Sequence, residues 1–295
     1  MTDTARDRWA DWVLERRFGG DEAQADQAAE QLARFRERVL ANARIEPGDT
    51  LLDVGAGDGL IAFGALESVG AAGTVILSDI SQDLLDHANR QAEEHGSADR
   101  CRFVLASAAA LDAIPDASVD VVTTRSVLIY LDRDGKERAF REFHRALRPG
   151  GRISLFEPIN KFGHPEPPGW FFGYDLTDVP DLVTKVLAAA SPEGESTLVD
   201  FDERDLVSWA SAAGFDPVLL TLDVEIARGS WLAGEWETVL RTSPNPLTPT
   251  LGEAIDGALD ADERAAFEAR LRPLVEANAG RRRVAHAYVS GTKPS

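Results

Sequence analysis

Cysteine is almost absent: Cys101 stands alone among 295 residues. A single thiol excludes an intrachain disulfide and any multi-cysteine metal site, and it suits a reducing cytoplasm. Basic charge is also scarce. Thirty-one Lys and Arg face 50 Asp and Glu, a formal net charge of −19. Such a surface repels phosphate backbones and anionic headgroups, which argues against nucleic acid or a membrane as partner. The one tight basic cluster, Arg281-Arg282-Arg283, starts a strand pattern near the C-terminus. Apolar runs approaching the roughly 20 residues of a membrane span are missing. The first eight residues are polar and have no secretory pattern. No two of the five histidines have zinc-ligand spacing, so no metal is expected. The expectation is a cytoplasmic globular chain.

What is present is a strand-then-helix alternation, the pattern of a mostly parallel sheet with helices on both faces. After a helical stretch from about Asp21 to Arg44, Pro47-Gly48-Asp49 breaks the chain and the first strand, Thr50–Val54, follows. Further strands are expected at Thr74–Ser78, Arg102–Leu105, Val119–Thr123 and Arg152–Phe156. Helices carry apolar stripes such as Leu84, Leu85, Ala88 and Ala92, with Ser81 as the cap. Beyond Glu157 the regularity fails in a stretch rich in Pro, Gly and aromatics. It resumes with a helix at Glu203–Ala213 and a strand at Phe215–Asp223, and a last strand is expected at Arg283–Ser290. This divides the chain into an N-terminal helical arm (1–46), a core (47–156), an insertion (157–200), a return to the core (201–227), a helical insertion (228–281) and a last strand with tail (282–295).

The sharpest signal is Asp53-Val54-Gly55-Ala56-Gly57-Asp58-Gly59, a strand running into closely spaced glycines. Such a turn lets a ligand touch bare backbone at the carboxyl end of a central strand. Asp79 comes 20 residues after Gly59, at the end of the next strand, where a carboxylate can accept both hydroxyls of a ribose. Dinucleotide sites use G-x-G-x-x-G with phosphate at the helix start. Here Leu60 holds the third glycine slot, and Asp58 would repel a pyrophosphate. S-adenosylmethionine (SAM) has no phosphate, and its sulfonium and ammonium tolerate nearby acids.

With these residues the sequence resembles the class I SAM-dependent methyltransferases, in the branch of ubiquinone-type and small-molecule enzymes. The resemblance is strong from about Pro47 to Pro158 and implies a Rossmann-like fold whose last strand is antiparallel. It also implies that Asp53 supports the loop and that Gly55, Ala56, Gly57 and Gly59 approach the methionine part of SAM. Asp79 would hold the ribose and Ile80 would pack on adenine. Ser107 and Ala108 lie in the stretch Phe103–Ala108 that holds the adenine edge, where Ser107 replaces a commoner Asp. Arg125 and Ser126 follow the fourth strand in place of a commoner Asn- or His-containing stretch, and Arg125 could meet the SAM carboxylate.

Methyl transfer is an in-line displacement that needs a base only when the acceptor must lose a proton. Candidates for that role are Glu157, just past the fifth strand, Tyr130, after the fourth, and His164 in the insertion. The two insertions are expected to leave the ligand end of the sheet as lids. Trp170, Phe171 and Tyr174 in one, with Trp231 and Trp236 in the other, are expected to wall a pocket for a largely apolar or aromatic small molecule. Two alternatives stand beside methyl transfer. One is a SAM-binding protein that does not methylate, for example one assisting a cyclisation; the other is a nicotinamide-dependent oxidoreductase.

Overall fold

Each of the first five apolar runs is closed by a glycine or a polar turn, and each becomes a strand of one sheet. In the computed structural model, which describes residues 6–191 and 196–295, these are β1 (Thr50–Val54), β2 (Thr74–Asp79), β3 (Cys101–Leu105), β4 (Val119–Arg125) and β5 (Leu147–Pro158). All five run parallel. Two short strands, β6 (Trp170–Phe171) and β7 (Tyr174–Asp175), pair separately, while β8 (Val218–Arg228) and β9 (Arg281–Thr292) complete the large sheet. Its order is β3-β2-β1-β4-β5-β9-β8. The chain therefore builds outward from β1 to β3, then returns to the other side of β1 with β4. That reversal is the switch point where open α/β sheets bind ligands. β9 pairs antiparallel with β5, Tyr288 lying opposite Phe156.

The helices are α1 (Arg8–Leu14), α2 (Glu22–Ala43), α3 (Leu60–Val69), α4 (Gln82–Glu94), α5 (Arg133–Ala146), α6 (Pro180–Ala190), α7 (Glu203–Ala213), α8 (Trp236–Arg241), α9 (Leu251–Ala258) and α10 (Ala261–Glu276). Sequence rules account for several of them. Ser81 caps α4 by accepting from Leu84 N–H at 3.0 Å, and the expected stripe of Leu84, Leu85, Ala88 and Ala92 is buried. α7 opens on a reciprocal Asp202–Asp205 capping box and ends at Gly214 with a positive φ of 103°. No helix among the described residues is long and apolar enough to cross a membrane.

The chain divides into two units. One comprises 30–159, 197–223 and 286–295, and holds the glycine-rich turn with most of the large sheet. Its core joins Leu51, Val75, Leu77 and Val121 of the strands to Ala62, Ala65, Leu85 and Ala88 of the helices. Inside it, the fully buried Lys136 ammonium binds Asp200 at 2.7 Å and the Thr197 carbonyl at 3.1 Å, with the Leu131 carbonyl as third partner.

The other unit gathers 1–29, 160–196 and 224–285, so both insertions share one core instead of forming separate loops. Phe171, Tyr174, Trp236, Phe267 and Leu271 fill it, with Phe171 edge-on to Phe267 at 5.5 Å. The arm joins this unit through Trp12, whose indole donates to the Ser243 carbonyl at 2.9 Å. This placement corrects three expected pocket-wall residues. Phe171, Tyr174 and Trp236 are at most 1% exposed, because their rings supply the apolar area this small unit needs for a core.

One buried polar atom lacks a partner among the described residues, the Thr124 hydroxyl of β4. An unsatisfied buried hydroxyl costs about 1–3 kcal/mol. Thr124→Val keeps the shape and removes that cost, so urea denaturation should show a gain of about 1 kcal/mol. A clear loss of stability would mean that the hydroxyl is bonded in the folded protein.

Candidate cofactor and active site

Asp53 lies within the buried run of β1 and ties this strand to β4 and α3. One carboxylate oxygen accepts from the Thr123 hydroxyl of β4 at 2.8 Å, the other from Ala62 N–H in the first turn of α3 at 3.1 Å. Gly59, the residue before α3, has no side chain to cap it, and Asp53 satisfies one of the free N–H groups instead. Burial pushes the Asp53 acid up to about 7, against the pull of the Thr123 and Ala62 hydrogen bonds and the Arg125 charge; the Asp79 charge adds to the rise.

The turn that follows folds over the end of β2. Gly55 and Ala56 donate to the Ser78 carbonyl at 2.7 and 3.0 Å, and Gly57 N–H donates to Asp79 at 2.9 Å. Two glycines in the turn have different reasons to be glycine. At Gly55 (φ 67°) an added β-carbon would sit 2.3 Å from Val127 of the neighbouring loop. At Gly57 (φ 57°) it would meet nothing within 4 Å, so bare backbone faces open space. That is the cradle a ligand lying against the main chain requires.

Asp79 is 6% exposed and also accepts from Ser81 N–H at 2.9 Å. A carboxylate oxygen can accept more than one hydrogen bond. Beside it Ile80 is 51% exposed and Leu105, at the end of β3, is 57% exposed. Large apolar side chains at the open ends of neighbouring strands suit the two faces of a flat heterocycle. Ala106 N–H donates to the Asp79 carbonyl at 2.9 Å and positions the next two residues. Ser107 is half-buried, its hydroxyl accepting from Ala109 N–H at 3.3 Å, and Ala108 is buried. Arg125 has no hydrogen-bonded or ion-paired side-chain partner among the described residues. Ser126 takes a φ of 56° and donates its N–H to Phe156.

Sequence reading thus named a contiguous group: Asp53, Gly55, Ala56, Gly57, Gly59, Asp79, Ile80, Ser107, Ala108, Arg125 and Ser126 belong to the loops and ends of β1 to β4. It missed Thr123, Val127 and Leu105 as parts of the arrangement. A Thr directly after Val121-Val122 at the end of the Val119–Thr123 run was the available signal for the first.

Glu157 requires correction as an accessible base. It is fully buried and accepts three backbone hydrogen bonds, from Val127 and Leu128 at 2.9 Å and from Ile129 at 3.4 Å. Its work is to lock the turn carrying Val127 and Tyr130. Burial pushes the Glu157 acid up to about 7, while those three N–H groups and the Lys136 charge pull it down. Tyr130 is half-buried, beside the turn that Glu157 holds, and His164 is exposed, in the unit built from the insertions. Trp170 is half-buried, and Trp231 is 47% exposed with its ring edge-on to Phe172 at 5.2 Å.

Residues 51–151 match a family model described as a methyltransferase domain. The chain is 35% identical over 132 residues to a ubiquinone/menaquinone biosynthesis C-methyltransferase of Hahella chejuensis, covering 45% of this chain and 50% of that protein. A protein of the same description from Ectopseudomonas mendocina is 30% identical over 177 residues, covering 59% of this chain and 68% of its own length. The chain therefore spans about half the length of the first relative and two thirds of the second. Among solved structures, a 4+2 cyclase aligns with TM-score 0.52 at 20% identity, over 89% of this chain and 80% of that one. At that identity the likeness is one of fold.

Glu157 gives this arrangement a pH signature. Its folded acid constant, about 7, lies above the ordinary 4.5, so the native state keeps the proton longer than the unfolded one. The carboxyl's contribution to stability is then fully present below the unfolded value, falls as pH rises between the two, and is flat above the folded value. Urea denaturation of wild type and Glu157→Gln in pH steps should show wild type losing ground to the variant between about pH 5 and 7, and a constant difference above that. A difference independent of pH would contradict this account of Glu157.

Proposed function

Starting from the chain's membership of the class I SAM-dependent methyltransferase family, we propose that it transfers a methyl group from SAM to a small, largely apolar or aromatic metabolite. The observation that carries this reading is the bare backbone of Gly57, open to space and hydrogen-bonded to Asp79, at the switch point of the sheet. When bound, SAM supplies an electrophilic methyl group on a sulfonium.

In this reading the Gly55–Gly57 backbone receives the methionine part and Asp79 accepts the ribose hydroxyls. Ile80 covers the adenine, and Ser107 and Ala108 border its edge. Arg125, with its charge uncompensated by an ion pair, faces the carboxylate of the amino acid part, and Ser126 lies beside it. Asp53 holds the loop and does not touch the acceptor. Asp58 and Leu60 favour this cofactor over a dinucleotide, since an acid near a pyrophosphate is repelled and the third glycine is missing. Catalysis then consists chiefly of holding acceptor and methyl in line. Proton removal, where the acceptor needs it, falls to Tyr130.

Incubation with methyl-labelled SAM and a panel of small acceptors, with detection of S-adenosylhomocysteine, separates this reading from cofactor binding without transfer. Label passing to an acceptor supports it. Tight SAM binding without S-adenosylhomocysteine under any acceptor would leave only a binding protein.

Two substitutions test the cofactor assignments by calorimetry. Asp79→Ala should weaken SAM binding by roughly 1.5–3 kcal/mol, the range for hydrogen bonds to a charged group. Gly57→Val fills the open cradle and should abolish binding, with circular dichroism reporting a folded chain. Unchanged affinity in either folded variant would remove that residue from the site.

A further inference from the structure

In a chain of net charge −19, most arginines have an acid beside them, and the run Arg281-Arg282-Arg283 is the densest basic segment. The structure gives its members three different surroundings. Arg282 is ion-paired to Glu225, and Arg283 lies over the Phe162 ring at 5.8 Å. Arg281 has no side-chain partner among the described residues, and neither has Arg228 at the end of β8. A bridge between Gly229 and Arg281, closed by the Gly229 N–H donating to the Gly280 carbonyl at 2.8 Å, brings the segment ending in Arg228 next to the one beginning at Arg281.

Both border the same solvent-open cavity, of about 640 Å³, together with the exposed Ile226, Ala277, Asn278 and Ala279. The Asn278 side-chain oxygen accepts from Ser230 N–H at 2.9 Å, which leaves its Nδ2 as a free donor. Among the described residues no carboxylate lines the cavity. The nearest acids along the chain are committed elsewhere, Glu225 to Arg282 and Glu276 to Arg272 at 2.7 Å. The lining residues with polar side chains, Arg228, Arg281 and Asn278, thus have donors to offer, set among aliphatic residues.

We propose that this cavity binds a small organic anion, its carboxylate or phosphate held by Arg228, Arg281 and Asn278 and its apolar part lying against Ile226, Ala277 and Ala279. Guanidinium forks match the paired oxygens of both anions. The volume falls within the range of small-molecule sites. Every lining residue belongs to the unit built from the insertions, and none is a residue assigned to SAM, so this site stands independently of the methyl-transfer reading.

The test is calorimetric titration of the whole chain with pyrophosphate and, separately, octanoate, using chloride at matched ionic strength as the control. Wild type, Arg228→Gln, Arg281→Gln and Arg102→Gln are compared; Arg102 is an exposed arginine of β3 without a partner, outside the cavity. At least one of the two anions should bind wild type and Arg102→Gln alike, with the dissociation constant raised tenfold or more in each of the two cavity variants. SAM affinity should be equal in all four proteins. Preference for octanoate would identify a carboxylate ligand, preference for pyrophosphate a phosphorylated one, and either supports the site. Binding no stronger than chloride produces, or equal losses in all three variants, would overturn it.

Discussion

Asp53 sits sealed between β1, β4 and the start of α3, where Thr123 and Ala62 each give it a hydrogen bond. A carboxyl in that position carries a desolvation cost, visible in an acid constant raised to about 7. The cost is tolerated because the same group fixes the angle at which the chain leaves β1. Gly55 and Ala56 can then hook onto Ser78, Gly57 reaches Asp79, and Asp79 anchors Ala106 through its carbonyl. Glu157 repeats the device two strands away, holding the turn after β4 by three backbone N–H groups. That turn carries Val127, which packs so closely on Gly55 that no side chain fits there. The ligand end of the sheet is thus rigid through buried carboxyls, while the surface it presents to a cofactor is mostly backbone.

The parts of this that could be read from sequence are those with a short local code. Caps, stripes and breakers located α4 and α7, because Ser81, the apolar periodicity and Gly214 act within one or two turns of their own position. The glycine-rich turn and Asp79 were legible for the same reason. β8 was misplaced by three residues at its start. Phe215 looks like a strand residue but is buried against His144 at 5.2 Å, and Pro217 has no N–H to give a ladder. The strand begins at Val218.

Long-range facts were not legible. Glu157 looked like an accessible base because it carries charge at the ligand end of the sheet. Its partners are main-chain amides of residues 127–129, which leave no mark in the side-chain sequence. The aromatic residues of the insertions posed the opposite difficulty. A pocket wall and a core use the same rings, and only the folded chain distinguishes Trp236, fully enclosed, from Trp231, half exposed. Charge distributes in a similar way. The excess of acid is global, but what matters locally is which arginines lack an acid, and this separates Arg125, Arg228 and Arg281 from their paired neighbours.

The account's central claim is that SAM lies along the ends of β1, β2 and β3. Amide hydrogen exchange of the whole chain, with and without saturating SAM, tests it most directly. The predicted result is slowed exchange in Gly55–Gly59, Asp79–Ser81 and Leu105–Ala108 together. Unchanged exchange in all three segments, or protection confined to other parts of the chain, would contradict the account.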